Sequence, residues 1–181
     1  MDYTKLVPKP DAASINSGLK SLSQRTMMEI FGNPSANKGT ECGPVTNPKL
    51  KKSIVTRSVG PFRVTGHKAA VESLKKVLAS VKAEKPDLYA ALGTAGMICA
   101  RLVRGSTSSW SNHSWGFAVD LTVGGKLDPR GDDMVQEGML ALYPFFHREG
   151  WWWGAEFKTE DAMHFEVAEE TVKAWHQAGL L

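Results

Sequence analysis

The chain has 181 residues, of which 42% are hydrophobic and 23% are charged, and these values fit one folded domain with additional chain rather than a disordered protein. The 22 Lys and Arg residues against 19 Asp and Glu residues leave a net charge of +3, which is too weak and too scattered to indicate nucleic-acid binding. No apolar run approaches the ~20 residues of a membrane span. Residues 1–14 lack the apolar stretch of a signal peptide, so we expect another route of export if the protein acts outside the cytoplasm, unless a signal has been removed.

The two cysteines, Cys42 and Cys99, are too few for a disulfide framework and do not form a CxxC pair. One bridge that closes a long loop and two free thiols are both compatible with the sequence. We assign neither thiol as a catalytic nucleophile.

Residues 1–53 are rich in Pro, Gly, Asn and Ser and are predicted to form an irregular N-terminal extension. One short amphipathic helix is predicted within residues 21–31, where apolar side chains share a stripe. The extension is expected to be a surface wrap or a tether. A small binding element is the functional alternative, although no aromatic repeat or internal period supports it.

Residues 54–181 carry the regular patterns and are predicted to form the folded domain. The first of these patterns, SIVTRSVGPFRVTG, predicts two short strands separated at Gly60 and Pro61. The segment that begins at residue 67 has apolar side chains at helical spacing, which predicts a helix that ends at Pro86.

A strand-like segment at residues 100–103 and a polar loop precede residues 116–123, GFAVDLTV. This last segment alternates, so that apolar side chains point one way while Ala118, Asp120 and Thr122 point the other. Such a strand is expected to have one face on an apolar core and the other on a polar cleft.

The C-terminal third of the chain contains two further predicted helices, at residues 132–150 and 169–181. Between them, residues 151–157 and 162–167 are predicted to form a strand, a loop and a second strand. Because helices and strands do not alternate in βαβ fashion, we predict an α+β fold with a small, mainly antiparallel sheet.

Three potential metal ligands stand out: His113, Asp120 and His164. A catalytic zinc site takes three protein ligands with imidazole nitrogen or carboxylate oxygen atoms and leaves a fourth position for water. Asp120 lies on the polar face of an otherwise apolar strand, and a metal would explain a carboxylate there, because an unpaired buried charge is costly. The alternative is that Asp120 pairs with a Lys or Arg and that His164 is a hydrogen-bonded core histidine.

Two motifs resemble a known family of zinc enzymes. SNHSWGFAVDL resembles the S-x-H-x-x-G-x-A-x-D motif of the D-Ala-D-Ala carboxypeptidase and L-alanyl-D-glutamate peptidase family, which includes many phage endolysins. DAMHFE resembles its second motif, an acidic residue three positions before a histidine. An upstream arginine and the Trp153–Gly154 pair also occur in the same order along the chain as in the family. The resemblance spans roughly residues 54–175. It implies a fold like that of hedgehog and DD-peptidase domains, with helices on one face of the sheet and a zinc cleft on the other.

The resemblance also implies roles for individual residues. It gives His113, Asp120 and His164 as ligands of one Zn²⁺ ion, Asp161 as the catalytic acid/base, and Arg101 as the residue that holds the substrate carbonyl or the developing oxyanion.

Alternatives to two of these assignments remain open. Residues three apart on a flat strand face opposite sides, so Asp161 must lie in the loop before the strand of His164, or at a bulge. Glu156, Glu160 and Glu166 are rival carboxylates, and Glu166 is better placed as the partner that orients a ligand. Arg104 is the alternative to Arg101, because periodicity does not fix the register of their segment.

Substrate contacts are predicted beside the two motifs. Ser111 falls on the motif serine, which lies next to the site in the family, and Trp115 and Trp153 are expected to line the substrate cleft, with Trp110 as a further candidate. The run of residues 151–153, WWW, has two interpretations, packing between a helix and the sheet or a wall of the cleft.

From this resemblance we expect a zinc peptidase that hydrolyses peptidoglycan stem peptides. The SNHSWG and W-G pattern favours an L-alanyl-D-glutamate endopeptidase over a D-Ala-D-Ala carboxypeptidase or dipeptidase. A monomeric phage lysis enzyme or a toxin delivered into a competitor's envelope fits, acting in the periplasm or cell wall, and a toxin implies an inhibitor or immunity protein as partner. A zinc-containing module that only binds the cell wall is the alternative from another class, and the presence of Asp161 and Arg101 argues against it.

Overall fold

The computed structural model describes residues 2–181, which form eight strands and six α-helices. The strands are β1 (Leu6–Pro8), β2 (Ile54–Ser58), β3 (Arg63–His67), β4 (Leu92–Gly96), β5 (Ala118–Val123), β6 (Met134–Gln136), β7 (Trp151–Trp153) and β8 (His164–Val167). The helices are α1 (Gln24–Phe31), α2 (Pro48–Lys51), α3 (Lys68–Glu84), α4 (Pro86–Ala90), α5 (Glu137–Arg148) and α6 (Glu169–Gln177). Short 3₁₀ turns cover Ala12–Ser14, Asn112–Trp115 and Gly154–Glu156.

A four-stranded antiparallel sheet with the order β4-β5-β8-β7 forms the centre of the fold. The pairs β2-β3 and β1-β6 are antiparallel as well. Helix α5 covers one face of the central sheet, where the ring of Phe146 stacks on that of Phe165 in β8 at 4.1 Å between centroids. The prediction of an α+β fold with a mainly antiparallel sheet is confirmed.

The alternation of side chains in β5 and β8 assigns the two faces of the sheet. Val119 and Leu121 of β5 and Phe165 of β8 are fully buried in the core. Asp120 and His164 point to the opposite face, and the register places them directly across from each other. The polar face predicted from the sequence is therefore one side of a cleft.

One edge of the central sheet lies elsewhere than the sequence pattern indicates. Residues 100–103 are predicted to be a strand, but Ala100 and Leu102 form only isolated bridges. The edge is β4, Leu92–Gly96, whose two glycines give it a low strand propensity. Tertiary pairing with β5 makes this segment a strand that its composition does not indicate.

The helix predicted at residues 132–150 begins later, at Glu137. Residues Met134–Gln136 form β6 instead, and β6 pairs with β1 near the N-terminus. No local pattern can reveal this pairing, because its partner is more than 120 residues away in the sequence.

Residues 2–53 fold onto the rest of the chain. Helix α1 lies where the apolar stripe predicts it. Side chains of this segment join the common hydrophobic core: Leu22, Met27, Phe31, Val45 and Leu50. A disulfide between Cys42 and Cys99, with Cα atoms 5.1 Å apart, ties the segment to the residues that precede the first motif. The segment wraps the fold, and a domain boundary at residue 53 stays a prediction.

The glycine of the first motif, Gly116, is required by the backbone. It adopts the left-handed conformation with φ 75°, which costs an L-residue ~1–2 kcal/mol. A Cβ at this position would also lie 2.6 Å from the backbone nitrogen of His67. Close contact between the turn after His113 and the start of α3 therefore needs a residue without a side chain.

We predict that Gly116→Ala lowers the free energy of unfolding by more than ~2 kcal/mol, because backbone strain and steric overlap add. Urea denaturation followed by circular dichroism measures the change. Gly125→Ala is the matched control, since Gly125 has φ 73° but open space around its Cβ position. Equal destabilisation by the two variants would contradict the steric part of this explanation.

Candidate active site

Three side chains converge at the polar face of the central sheet. His113 comes from the 3₁₀ turn at Asn112–Trp115, Asp120 from β5 and His164 from β8. The Nε2 atom of His113, the Oδ1 atom of Asp120 and the Nδ1 atom of His164 form a triangle with all three sides at 3.2 Å. Elements far apart in the sequence thus bring together the residues that the two motifs single out.

Hydrogen bonds on the far side of each imidazole fix which nitrogen faces the triangle. Nδ1 of His113 lies 3.1 Å from the carbonyl oxygen of Met97, so this nitrogen donates and Nε2 keeps its lone pair. Nε2 of His164 lies 2.9 Å from Oε2 of Glu166, so in the neutral ring it donates there and Nδ1 keeps its lone pair. Both lone pairs are therefore directed at the same point as the Asp120 carboxylate.

The triangle fits a divalent metal ion with tetrahedral coordination. Bonds of ~2.0–2.1 Å to nitrogen and oxygen put neighbouring ligand atoms of such an ion ~3.3 Å apart, close to the separation of the three atoms here. Two neutral imidazoles and one carboxylate are a common ligand set of catalytic metal sites, which leave a fourth position open. These three residues are thus a candidate metal site.

Electrostatics within the site favour a bound cation. Burial opposes charge on Asp120, but hydrogen bonds to His113 and His164 hold the pKa of that carboxyl well below its usual range. Burial alone would lower the pKa of His164, but hydrogen bonds to the carboxylates of Asp120 and Glu166 raise it to about 10, so Nδ1 binds a proton whose place a metal ion would take. Two carboxylates thus create a strongly negative potential around these imidazoles.

Asp161 lies in the turn that leads into β8, as the requirement of a loop position predicts. Its carbonyl oxygen accepts a hydrogen bond from the backbone nitrogen of His164 at 3.0 Å. One carboxylate oxygen, Oδ2, lies 3.4 Å from Nε of Arg130, while Oδ1 is buried without a hydrogen-bond partner among residues 2–181. Burial raises the pKa of Asp161, although the imidazole of His164 acts in the opposite direction.

The rival carboxylates are engaged elsewhere. Glu156 accepts a hydrogen bond from the side chain of Asn16 at 2.7 Å. Glu160 is buried and accepts from the backbone nitrogens of Gly131 and Asp132. Glu166 accepts from His164, in line with its predicted role as an orienting partner. Among these four acidic residues, Asp161 alone combines a position in the cleft with a free carboxylate oxygen.

Gly154 of the W-G pair allows the turn of Asp161 to pack against β8. A Cβ on Gly154 would overlap the carbonyl oxygen of Asp161 and approach the Cβ of His164 to 3.1 Å. The carbonyl oxygen of Gly154 also accepts a hydrogen bond from the backbone nitrogen of Asp161 at 3.0 Å. Steric and hydrogen-bonding constraints next to the candidate site therefore explain the glycine of the W-G pair.

Both candidate arginines line the cleft, which has a volume of about 520 Å³. Arg101 donates through Nη1 to the carbonyl oxygen of Leu102 at 3.2 Å, and Arg104 lies three residues further on in the same irregular segment. Because this segment is not a strand, the two side chains are not forced to opposite faces by strand alternation. The structure brings both side chains to the cleft and does not choose between them.

The residues predicted to contact substrate differ in their positions relative to the cleft. Ser111 lines the cleft, and so do the aromatic side chains of Trp110 and Phe157. The prediction that Trp115 and Trp153 contact substrate is wrong, because both side chains are fully buried in the core.

The indole nitrogens of these two tryptophans are satisfied inside the protein. Trp115 donates to the carbonyl oxygen of Gly32 at 3.0 Å, and Trp153 donates to that of Ala162 at 2.7 Å. For the run at residues 151–153 the packing interpretation is the correct one, since all three side chains are buried and none lines the cleft.

Several cleft residues carry no sequence signal. Ser21, Leu22 and Gln24 come from the N-terminal segment, and Arg130 comes from the loop between β5 and β6. Their arrival at the cleft depends on long-range packing, and neither periodicity nor a motif marks them.

Comparison with known proteins agrees with the geometry. Residues 104–167, about a third of the chain, match the family described as D-alanyl-D-alanine carboxypeptidase. This match contains all three corners of the triangle and Asp161, whereas Arg101 lies before it. A comparison with curated protein sequences gave no match. Residues 104–167 therefore carry a domain of the D-alanyl-D-alanine carboxypeptidase family, and this domain contains a candidate metal site of a metallopeptidase at His113, Asp120 and His164.

Proposed function

We propose that this protein is a zinc peptidase that hydrolyses peptidoglycan stem peptides, with the L-alanyl-D-glutamate bond as its target. The observation that carries the proposal is the triangle of His113, Asp120 and His164 beside the free carboxylate oxygen of Asp161, in a cleft open to a peptide. A metal site that were only structural would need no such unengaged carboxylate next to it.

Zinc is the metal that we infer. Its preference for imidazole and carboxylate ligands in tetrahedral geometry matches the three residues and their spacing. When bound, zinc supplies a water of lowered pKa and polarises the scissile carbonyl. The protein contributes ligand atoms whose direction is already fixed by Met97 and Glu166.

Asp161 is the residue that we assign to proton transfer. It would accept the proton of the attacking water through Oδ1 and deliver it to the nitrogen of the leaving amine as the peptide bond breaks. The ion pair with Arg130 engages the other oxygen and so holds the carboxylate in one orientation. Burial, which raises the pKa of Asp161, brings it closer to the working range of an acid/base catalyst.

The charges around the cleft favour an anionic peptide substrate. Four cationic side chains line it: Arg101, Arg104, Arg130 and Lys158. Of the carboxylates there, Asp120 and Glu166 are occupied by the histidines. Stem peptides carry free carboxylates next to their peptide bonds, and guanidinium groups bind carboxylates in a bidentate manner.

The finer specificity rests on the SNHSWG and W-G pattern, which favours cleavage between L-alanine and D-glutamate. A D-Ala-D-Ala carboxypeptidase is the second candidate, favoured by the description of the matched family. A module that binds the cell wall without cleaving it is less consistent with the retained Asp161 and Arg101.

We place the site of action in the periplasm or cell wall, where a monomer would be released by lysis or delivered by a secretion apparatus. The disulfide between Cys42 and Cys99 is typical of proteins from oxidising compartments. In residues 2–181 no helix has the length and apolar character needed to cross a membrane. If the protein is a delivered toxin, an immunity protein would be a partner.

Digestion of purified peptidoglycan tests the proposal and names the bond. Mass spectrometry of the products should show new N-terminal D-glutamate and free L-alanine carboxyl ends. Release of D-alanine alone would establish the carboxypeptidase instead, and intact peptidoglycan after incubation with the zinc-loaded protein would exclude both activities.

We predict that the protein binds one zinc ion per chain and that His113→Ala and His164→Ala each abolish tight binding, because two remaining ligands cannot hold the ion. Elemental analysis after dialysis gives the stoichiometry. His176→Ala is the control, since His176 is exposed at the end of α6 and should keep full occupancy. Full zinc content in both ligand variants would refute the assignment.

Asp161→Asn is expected to keep zinc and fold while turnover falls by ~10²-fold or more, the scale of general acid–base catalysis. Steady-state rates on wall fragments measure this loss. Glu156→Gln, which changes a neighbouring carboxylate that Asn16 already engages, should stay near wild-type. Near wild-type activity of Asp161→Ala together with an inactive, zinc-retaining Glu166→Ala would show that Glu166 is the catalytic carboxylate.

Arg101→Ala is predicted to lower turnover by ~10²–10³-fold, the effect of removing one donor to an oxyanion. The loss should fall on kcat more than on KM, because the oxyanion exists only in the transition state. Arg101→Lys should rescue in part, since an ammonium group lacks the planar fork. The comparison is Arg104→Ala, and a large loss there with little at Arg101 would reverse the assignment.

A further inference from the structure

Glu166, the carboxylate that orients His164, is itself held by residues from the N-terminal segment. It is 1% exposed, and its two oxygens accept four hydrogen bonds. Oε2 accepts from Nε2 of His164 at 2.9 Å and from Nδ2 of Asn112 at 2.8 Å. Oε1 accepts from Oγ of Ser21 at 2.7 Å and from the backbone nitrogen of Leu22 at 2.8 Å.

These four donors satisfy a carboxylate fully, since its two oxygens offer about four lone-pair positions. Half of them come from residues that lie more than 80 positions before the family match. In a buried setting a carboxylate that lost Ser21 and Leu22 would rotate towards other donors or water, because an unmet acceptor is costly. The direction of the His164 ring would then no longer be fixed.

Residues 15–24, which we call the N-terminal strap, are fixed on both sides of this contact. Upstream, Oδ1 of Asn16 accepts from the backbone nitrogen of Trp153 at 2.9 Å, and Nδ2 donates to the carbonyl oxygen of Trp153 at 3.0 Å. Downstream, the carbonyl oxygen of Leu22 accepts from Nδ2 of Asn112 at 2.8 Å. The side-chain oxygen of Gln24 accepts from the backbone nitrogen of Trp110. The strap is therefore an ordered part of the cleft that hydrogen bonds fix on both sides of Glu166.

We propose that the N-terminal strap is a positioning element of the metal centre and that Ser21 acts on metal binding through Glu166. The inference rests on the metal site of the proposed function, and it extends the active site to a segment outside the family match. Ser21 and Leu22 hold Glu166, Glu166 holds the Nε2–H group of His164, and Nδ1 of His164 is thereby aimed at the position shared with His113 and Asp120. Partners that orient a metal-binding histidine in this way are worth ~10–100-fold in metal affinity.

The test is the zinc affinity of the purified full-length chain, measured by competition with a chromophoric chelator. Ser21→Ala should raise the Kd for zinc by ~10-fold and Glu166→Gln by ~10–100-fold. Ser21→Thr, which keeps the hydroxyl, should stay near wild-type. The double variant Ser21→Ala/Glu166→Gln should bind no more weakly than Glu166→Gln, because Ser21 acts only through the carboxylate.

Ser23→Ala is the matched control within the strap. Ser23 caps α1 by accepting from the backbone nitrogen of Thr26 at 3.2 Å and does not touch Glu166. Its replacement should lower stability by ~1 kcal/mol and leave the zinc Kd unchanged. The absorption spectrum of the Co²⁺-substituted protein gives a second readout, since a displaced His164 should alter the spectrum of Ser21→Ala but not that of Ser23→Ala.

An unchanged Kd for Ser21→Ala overturns the proposal, and so does an equal loss in Ser21→Ala and Ser23→Ala or an additive loss in the double variant. If Ser21→Ala does not fold, Ser21→Cys takes its place, with a weaker donor of similar size and an intermediate Kd expected. Failure of the proposed function is seen separately. If the wild-type chain binds no zinc, the proposed metal site is wrong. If it binds zinc but does not cleave peptidoglycan, the proposed activity is wrong. Both results are obtained before any strap variant is compared.

Discussion

The antiparallel register between β5 and β8 is the constraint on which the candidate site depends. It sets Asp120 directly across from His164, so that two of the three candidate metal ligands project side by side from the same face of the sheet. A slip of one residue would turn Phe165 towards the cleft and His164 into the core, because side chains alternate between the faces of a sheet. Packing of Phe165 against Phe146 of α5 makes such a slip costly. The hydrophobic face of the sheet thus determines the geometry of its polar face.

Much of this arrangement could be predicted because it has a local signature. Alternation in GFAVDLTV and HFEV identifies both strands and the face that carries Asp120, His164 and Glu166. Two spaced motifs then assign Asp120 and His164, together with His113, as metal ligands and add Asp161 in a turn. The glycines at 116 and 154 belong to the same signature, and their reason is steric, since a Cβ at either position would overlap neighbouring backbone.

Other features could not be predicted, because they depend on partners far away in the sequence. Strand β4 is weak in propensity and exists through pairing with β5, and β6 exists through pairing with β1. Trp115 and Trp153 lie next to site residues in the sequence, yet the backbone turns both indoles into the core. Sequence proximity indicates which segment is near a site, whereas the direction of one large side chain is decided by three-dimensional packing.

The side chain of Asn16 has a consequence for the behaviour of the protein in solution. Strand β7 is the outer strand of the central sheet, so one side of its backbone has no neighbouring strand. Asn16 presents an amide to the backbone nitrogen and carbonyl oxygen of Trp153, as a neighbouring strand would. Open edges recruit strands from other molecules, and the Asn16 amide occupies the backbone groups of Trp153 that such a strand would use. Loss of residues 1–16 would therefore leave the backbone nitrogen and carbonyl oxygen of Trp153 open to a strand from another molecule.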